Sequence, residues 1–265
     1  MKIFFASFLS LLPILLFPLE PDDGVQIKYY GHSCFEFICG GRRILVDPFT
    51  PDWFDYQLPQ GRIDLAFSSH EARDHRHFDG LQVDRIYCAS GERNEFQMLA
   101  NGCVDTVSGR QSESFQGHTC EFWTVPSFHD DIQGLRNGVN GILCFDFDSL
   151  RIVHLGDIGH VLEPHQIQAI GPVDVLMIPI DAYHIIPLPQ AKMIVDHLHP
   201  RIVIPMHYHT DRARITFDPA DLDNFLAMFP DVRQPGTSRV TLRKQDLPAE
   251  PYLLVLNYLS DDEHE

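Results

Sequence analysis

The chain has 265 residues, with 20 Lys+Arg against 37 Asp+Glu and a formal net charge of −17. That acidic excess works against nucleic acid as a partner, because Lys and Arg would have to neutralise the phosphate backbone. A hydrophobic content of 44% is enough to fill a core and excludes a disordered or low-complexity chain. The 15 His, beside many Asp, make metal binding the first chemistry to test.

Met1-Lys2 is followed by an apolar run from Ile3 to Phe17, broken only by Ser7, Ser10 and Pro13. A short basic start before such a run reads as a secretory signal or an uncleaved N-terminal anchor over residues 1–20, and so predicts export to the periplasm or beyond the cell. The run is shorter than the roughly 20 apolar residues of a membrane span, and Pro13 and Pro18 interrupt it, so no stable span is expected. Residues 21–259 read as one domain and 260–265 as a solvated acidic tail.

Within the domain, Val25–Tyr30, Cys34–Ile38 and Arg43–Asp47 are short strand patterns, the last two joined by Gly40-Gly41 as a hairpin. Leu65–Ser69 and Arg85–Ala89 are further strands. Glu92–Ala100 is rich in helix formers and predicts a helix, capped by Ser90 and stopped by Gly102. Thr119–Val125, Ile142–Phe147 and Arg151–Leu155 read as strands, Pro164–Ile170 as a helix ended by Gly171, and Val173–Ile178 as a buried strand. Pro189–Leu198 is a helix, Arg201–Pro205 a strand, and Asp218-Pro219 opens a helix to Met228. Arg239–Leu242 and Tyr252–Leu256 complete the strands. Hairpins early and strand–helix units later predict one α/β domain with mixed sheets. The 6 Cys form no CxxC pair and read as small buried hydrophobes, some of which could pair in an exported protein.

Four of the apolar strands finish on residues that bind metals. Leu65–Ser69 leads to His70, Phe122–Phe128 to His129, Arg151–Gly156 to Asp157 and Arg201–Met206 to His207. Ligands at strand ends are held by a rigid scaffold while facing an open cleft. Asp74-His75 follows His70 closely and adds two more donors. Asp130-Asp131, after His129, read as exposed loop acids, with hydrogen-bond support of the ligands as the alternative.

His70-Glu71-Ala72-Arg73-Asp74-His75 resembles the HxHxDH signature of the metallo-β-lactamase superfamily, and His129, Asp157 and His207 follow in the same order. Gly31-His32-Ser33, Ile44–Pro48 and Gly171–Leu176 resemble the branch that includes ascorbate-6-phosphate lactonase-like hydrolases. The resemblance spans roughly residues 25–210. It implies an αββα sandwich of two mixed β-sheets flanked by helices, with one or two divalent metals, zinc first and manganese or iron as alternatives. Carried over by position, His70 and His129 would serve one metal and Asp74, His75 and His207 the other. Asp157 would bridge them, and Asp74 would also orient an activated water. The implied activity is hydrolysis of an ester, lactone or phosphoester of a small molecule.

One position departs from that pattern. Ala72 stands where the signature has its second His, and a methyl group cannot coordinate. The first metal position is thereby short of an imidazole, and His32, His77 and His184 are the histidines available to compensate. Pro179–His184 also lacks the expected glycine pair, a change that could add a polar group to the pocket. These departures leave a second reading open, a degenerate member that binds a metal or metabolite without turnover.

Overall fold

The computed structural model of the chain describes residues 24–89, 95–100 and 103–260, with 95–100 and 103–108 described by their backbone only. The apolar run at 1–20, the cap at Ser90, the stop at Gly102 and the tail from 261 lie outside these residues. No helix among the described residues is long and apolar enough to cross a membrane.

Two eight-stranded sheets face each other. The first has the order β15-β1-β2-β3-β4-β5-β6-β7. Its strands are β1 (Val25–Gly31), β2 (Cys34–Cys39), β3 (Arg42–Val46), β4 (Arg62–Ser68), β5 (Gln82–Ala89), β6 (Glu95–Ala100), β7 (Cys103–Ser108) and β15 (Arg239–Leu242). The second has the order β14-β16-β13-β12-β11-β10-β9-β8. It is built from β8 (Gln111–Phe115), β9 (His118–Phe128), β10 (Val139–Phe147), β11 (Leu150–His154), β12 (Val175–Pro179), β13 (Ile202–Met206), β14 (Val232–Arg233) and β16 (Tyr252–Leu254). Both are mixed: β3, β4 and β5 run parallel inside the first, and β11, β12, β13 and β16 inside the second.

Local sequence explains most of these elements. β1 alternates inward Val25, Ile27 and Tyr29 with half-exposed Gln26 and Lys28, the two-residue period of a strand with one buried face. Gly40 and Gly41 link β2 to β3 with φ of 53° and 78°, the pair of positive values that a two-residue hairpin turn of this hand requires. β12 and β13 are buried at every residue because both of their faces are covered. On the inner face they meet the core between the sheets, where Phe67 contacts Phe122 and Phe145 at ring distances of 5.0 Å. On the outer face they meet the helices α1 (Pro164–Ile170), α2 (Leu188–Leu198) and α3 (Asp221–Leu226). All three described helices pack on this second sheet. The outer face of the first is covered by loop residues, among them Phe49, Phe54, Tyr56 and Phe217.

The expected helix at Glu92–Ala100 is corrected by the structure. Residues 95–100 form β6, paired antiparallel with β5 on one side and β7 on the other. Glu, Gln, Met, Leu and Ala favour a helix by about half a kcal/mol each over β-formers, and two flanking ladders outweigh that preference. The strands β7 and β8 carry mostly polar residues and gave no apolar run to read in the sequence. The described cysteine side chains, Cys34, Cys39, Cys88, Cys120 and Cys144, are free and buried, as small hydrophobes.

Candidate metal centre

The parallel strands of both sheets end at the same edge of the sandwich, and the chemistry collects there. Ser69-His70 follows β4, His129 follows β9, Leu155-Gly156-Asp157 follows β11, and His207 follows β13. The short loop after His70 returns Asp74 and His75 to the same place, closed by a hydrogen bond from the His75 amide to the Ala72 carbonyl. The turn between β1 and β2 adds His32, whose carbonyl accepts the His207 amide at 2.9 Å.

Of the six residues expected from the sequence, the four histidines converge on one oxygen of Asp157, and Asp74 lies beside His75. Asp157 Oδ2 lies 3.7 Å from His70 Nε2, 3.2 Å from His75 Nε2, 3.5 Å from His129 Nε2 and 3.4 Å from His207 Nε2. Asp74 Oδ2 lies 3.9 Å from His75 Nε2 and 3.3 Å from His32 Nε2. Two groups of donor atoms result, His70/His129/Asp157 and His32/Asp74/His75/His207, each with its atoms within 4.8 Å of one another. Two ligand atoms about 2.1 Å from a shared cation stand about 3.0–3.4 Å apart, so these spacings are close to the edges of coordination polyhedra.

Hydrogen bonding gives an independent test of fit. The Nε2 atoms of His70, His75 and His129 and Oδ1 of Asp157 are buried without a hydrogen-bond partner. Buried polar atoms are rarely left so, and each orphan costs about 1–3 kcal/mol. A cation at the centre would satisfy them together, so the residues fit a metal.

The opposite sides of the His70 and His75 rings are hydrogen-bonded. Asp47 Oδ2 accepts from His75 Nδ1 at 2.8 Å and from Ser69 Oγ at 2.7 Å, and Ser69 Oγ in turn is 3.0 Å from His70 Nδ1. One buried carboxylate thus fixes the tautomer of two histidines, leaving both Nε2 lone pairs inward. Asp181 Oδ2 bonds His184 Nδ1 at 2.6 Å and lies 3.4 Å from His207 Nδ1, an electrostatic contact without a hydrogen bond. Asn140 holds the loop of Asp157: its Oδ1 accepts the Asp157 amide at 2.9 Å while its Nδ2 donates to the Leu155 carbonyl at 2.8 Å. His154, fully buried, pairs its Nε2 with the Ser33 carbonyl at 2.9 Å and so joins the second sheet to the turn carrying His32. A side chain at Gly156 would place its Cβ 2.3 Å from Asn140 Oδ1, so that close approach requires glycine.

The backbone is strained at the same place. His32, Asp47 and His207 have φ of 54°, 47° and 54°. Non-glycine residues in this region cost about 1–3 kcal/mol each and persist where the surroundings over-determine them.

Charge balance follows from the packing. Burial disfavours the charged form of His207, but Asp157 and Asp181 outweigh it and raise the ring to about 9. His75 is raised in the same way, against burial, by Asp157 and Asp47. Burial would push Asp157 up, yet the His207 and His75 beside it hold it well below the ordinary carboxylate range. His70 and His32, dominated by burial, fall to about 4 and about 3. A divalent ion among these ligands would supply the positive charge that the carboxylates otherwise draw from His75 and His207.

Of the three histidines available to offset Ala72, only His32 joins a donor group, and it joins the Asp74/His75/His207 group rather than the depleted one. His184 is held by Asp181, which is the polar addition made by the Pro179–His184 segment. His77 belongs to neither group. Asp131 is exposed as expected, whereas Asp130 is buried, and its carboxylate accepts the backbone N–H of Ile132, Gly134, Arg136 and Asn137. A carboxylate that organises a loop this way gives no local sequence signal. Asp47, Ser69, Asn140 and Asp181 were not singled out in the sequence as site residues, although Asp47 lies within the Ile44–Pro48 stretch that carried the resemblance.

Residues 26–207 match the family model of the beta-lactamase superfamily domain. The chain belongs to the beta-lactamase superfamily. Its metallo-β-lactamase-type fold is shared with a Thermotoga maritima candidate Zn-dependent hydrolase of that superfamily, at 25% identity and a TM-score of 0.62, covering 88% of this chain and 98% of that one. A UPF0173 metal-dependent hydrolase of Pyrobaculum arsenaticum is 27% identical over 197 residues, covering 70% of this chain and 85% of the relative. The diiron β-hydroxylase CmlA of Streptomyces venezuelae, 19% identical with a TM-score of 0.57, covers 84% of this chain and 55% of its own and shares the fold. Superfamily membership thus agrees with the strand-end arrangement.

Proposed function

We propose that the protein is a metal-dependent hydrolase acting on an ester, lactone or phosphoester of a small molecule, with one tightly held divalent cation. The observation that carries this reading is the ring of inward nitrogens around Asp157, three of them buried without partners. Asp74, His75, His207 and Asp157 would hold the ion, with His32 as a further donor beside Asp74. His70, His129 and Asp157 form the second position, weakened by the imidazole missing at Ala72. Imidazole and carboxylate donors suit zinc first, with manganese or iron as alternatives.

A divalent cation in this position supplies Lewis acidity and a water acidified toward neutral pH. The protein's own residues do the positioning. Burial would raise Asp74, but the hydrogen bond from His32 and the nearby His75 hold it well below the usual carboxylate range. It therefore stays ionised at neutral pH and acts as an acceptor that aims a water proton, rather than as a store for that proton. Asp47 and Ser69 hold His75 and His70 in one tautomer, and Asp181 orients His207. The net charge of −17 supports a small molecule over nucleic acid as substrate.

Elemental analysis of the full chain purified with excess metal tests this. About one tightly bound ion per chain is expected, rising toward two with Ala72→His and falling toward none with His207→Ala. A parent chain free of metal under those conditions overturns the reading. Ala72 also motivates the alternative, a binder without turnover. A screen of lactones and phosphodiesters with Zn²⁺ or Mn²⁺ separates them: turnover lost with Asp157→Asn supports the hydrolase, and silence throughout moves the weight to the binder.

A further inference from the structure

Beside the metal centre, a cavity of about 210 Å³ opens along His129, Asn137, Tyr183 and His184, with Arg136 in its wall. Its loop is built rather than loose. Both oxygens of buried Asp130 are consumed by four backbone N–H donors, from Ile132, Gly134, Arg136 and Asn137. Asn137 Nδ2 then ties the loop to the His129 carbonyl at 3.1 Å. The Asp130 carboxylate is thus turned to the backbone and does not neutralise the Arg136 guanidinium, and exposed Asp131, nearer in sequence and in the same cavity wall, makes no ion pair with it.

Among the described residues, Arg136 is the lysine or arginine whose side chain has no ion pair, hydrogen bond or aromatic partner. The other cations around the same edge are taken: Arg73 by Asp52, Arg76 by Glu71, Arg212 and Arg214 by Asp55. In a chain with 37 acidic and 20 basic residues, an unpaired carboxylate such as exposed Asp131 is ordinary, and an unpaired arginine is not. A planar guanidinium with five donors matches carboxylate or phosphate oxygens two at a time. Ile132 and Leu135 on the same loop, and Tyr183 across the cavity, are exposed at 40%, 85% and 75%. Among the described residues they are three of the four large exposed apolar side chains, so the loop and the cavity wall offer an apolar surface near the cation.

We propose that the substrate carries an anionic group, a carboxylate or phosphate distinct from the bond that is cut, next to an apolar moiety, and that Arg136 binds that group. This rests on the hydrolase reading of the adjacent centre and assigns its substrate class. Arg136 is a specificity-determining residue here, set beside His129 by the Asp130 loop.

The test is equilibrium binding of benzylphosphonate and of phenylacetate to the metal-loaded full chain, in parallel with hydrolysis of matched anionic and neutral aryl esters. Arg136→Gln is expected to weaken binding of at least one probe about tenfold or more, with part recovered in Arg136→Lys and with the parent's advantage shrinking as salt is raised. The probe more affected tells phosphate from carboxylate. The selectivity for anionic over neutral ester, as a ratio of kcat/KM, should fall with it. Equal binding by parent and Arg136→Gln, with the variant's melting temperature unchanged, overturns the proposal. Absence of all hydrolysis would count against the enzyme reading, and the binding comparison would still decide the role of Arg136.

Discussion

Both ends of the sandwich carry a histidine–aspartate cluster, and they differ in what their nitrogens do. At the end where the parallel strands finish, four Nε2 atoms surround Asp157 Oδ2 and three of them have no hydrogen-bond partner. At the opposite end, Cys39, His118 and Asp148 also offer donor atoms within 4.8 Å of one another. There the groups satisfy each other. His118 Nδ1 pairs with Asp148 Oδ2 at 2.5 Å, the Thr119 amide takes Asp148 Oδ1 at 2.7 Å, and burial, with Asp148 nearby, pushes the Cys39 thiol up to about 11. Proximity of ligand types is therefore a weaker sign of a metal site than buried nitrogens left unpaired with their far sides already fixed. The second cluster has the composition of a metal site and the bonding of an ion pair.

The largest expected effect that sharpens this contrast comes from a residue touching no ion. Asp47 Oδ2 takes His75 Nδ1 and Ser69 Oγ, its Oδ1 takes the Ser69 amide, and Ser69 reaches His70, so Asp47→Asn leaves one acceptor oxygen where two are needed behind two inward rings. Metal affinity should fall by about 10–100-fold, measured by competition with a chelator, while the retained fold is checked by circular dichroism. Unchanged affinity would mean that the supporting hydrogen bonds do not set the ring positions, and the contrast between the two ends would lose its basis.

The next effect is on the loop beside the site. Burial would raise the Asp130 carboxyl, but the backbone N–H of Asn137, Arg136, Gly134 and Ile132 pull it down to about 2, against an ordinary value of 3.8. A group with a depressed folded-state pKa gives stability that is complete above its unfolded value and lost as pH falls toward the folded one. Its contribution is thus expected to be full at neutral pH and to disappear between about pH 4 and pH 2. Asp130→Ala should cost about 1–3 kcal/mol at pH 7 and much less at pH 2.5, read by denaturant unfolding at both values. A cost independent of pH would show that the carboxylate charge is not what holds the loop.

Much of the candidate metal centre was legible because four of the six proposed ligands follow strong apolar strands, and Asp74 and His75 keep a local spacing to His70. The residues behind them were less so. Asp47 acts on His75 across 28 positions, and Asp181 on His207 across 26, distances that only the pairing of β3 with β4 and of β12 with β13 brings to contact. His32 was visible as a histidine, but the donor group it joins depends on the β1–β2 turn folding back onto His207. The strand β6 was misread for a related reason. Its residues favour a helix locally, and the two neighbours that make it a strand are supplied by the sheet.

The smallest effect is expected at the far end. The Asp148 side chain is 37% exposed, so the His118–Asp148 pair is partly screened by solvent. Asp148→Asn should cost less than about 1 kcal/mol in unfolding free energy, because the exposed carboxylate gains little from its ion pair and the amide oxygen can still accept from Thr119. Metal content by elemental analysis should match the parent, in contrast to His207→Ala, since no unpaired nitrogen at this end calls for a cation. If a bound ion were lost with Asp148→Asn, the Cys39/His118/Asp148 cluster would be a metal site after all. Hydrogen-bond satisfaction would then fail as the criterion that separates the two ends.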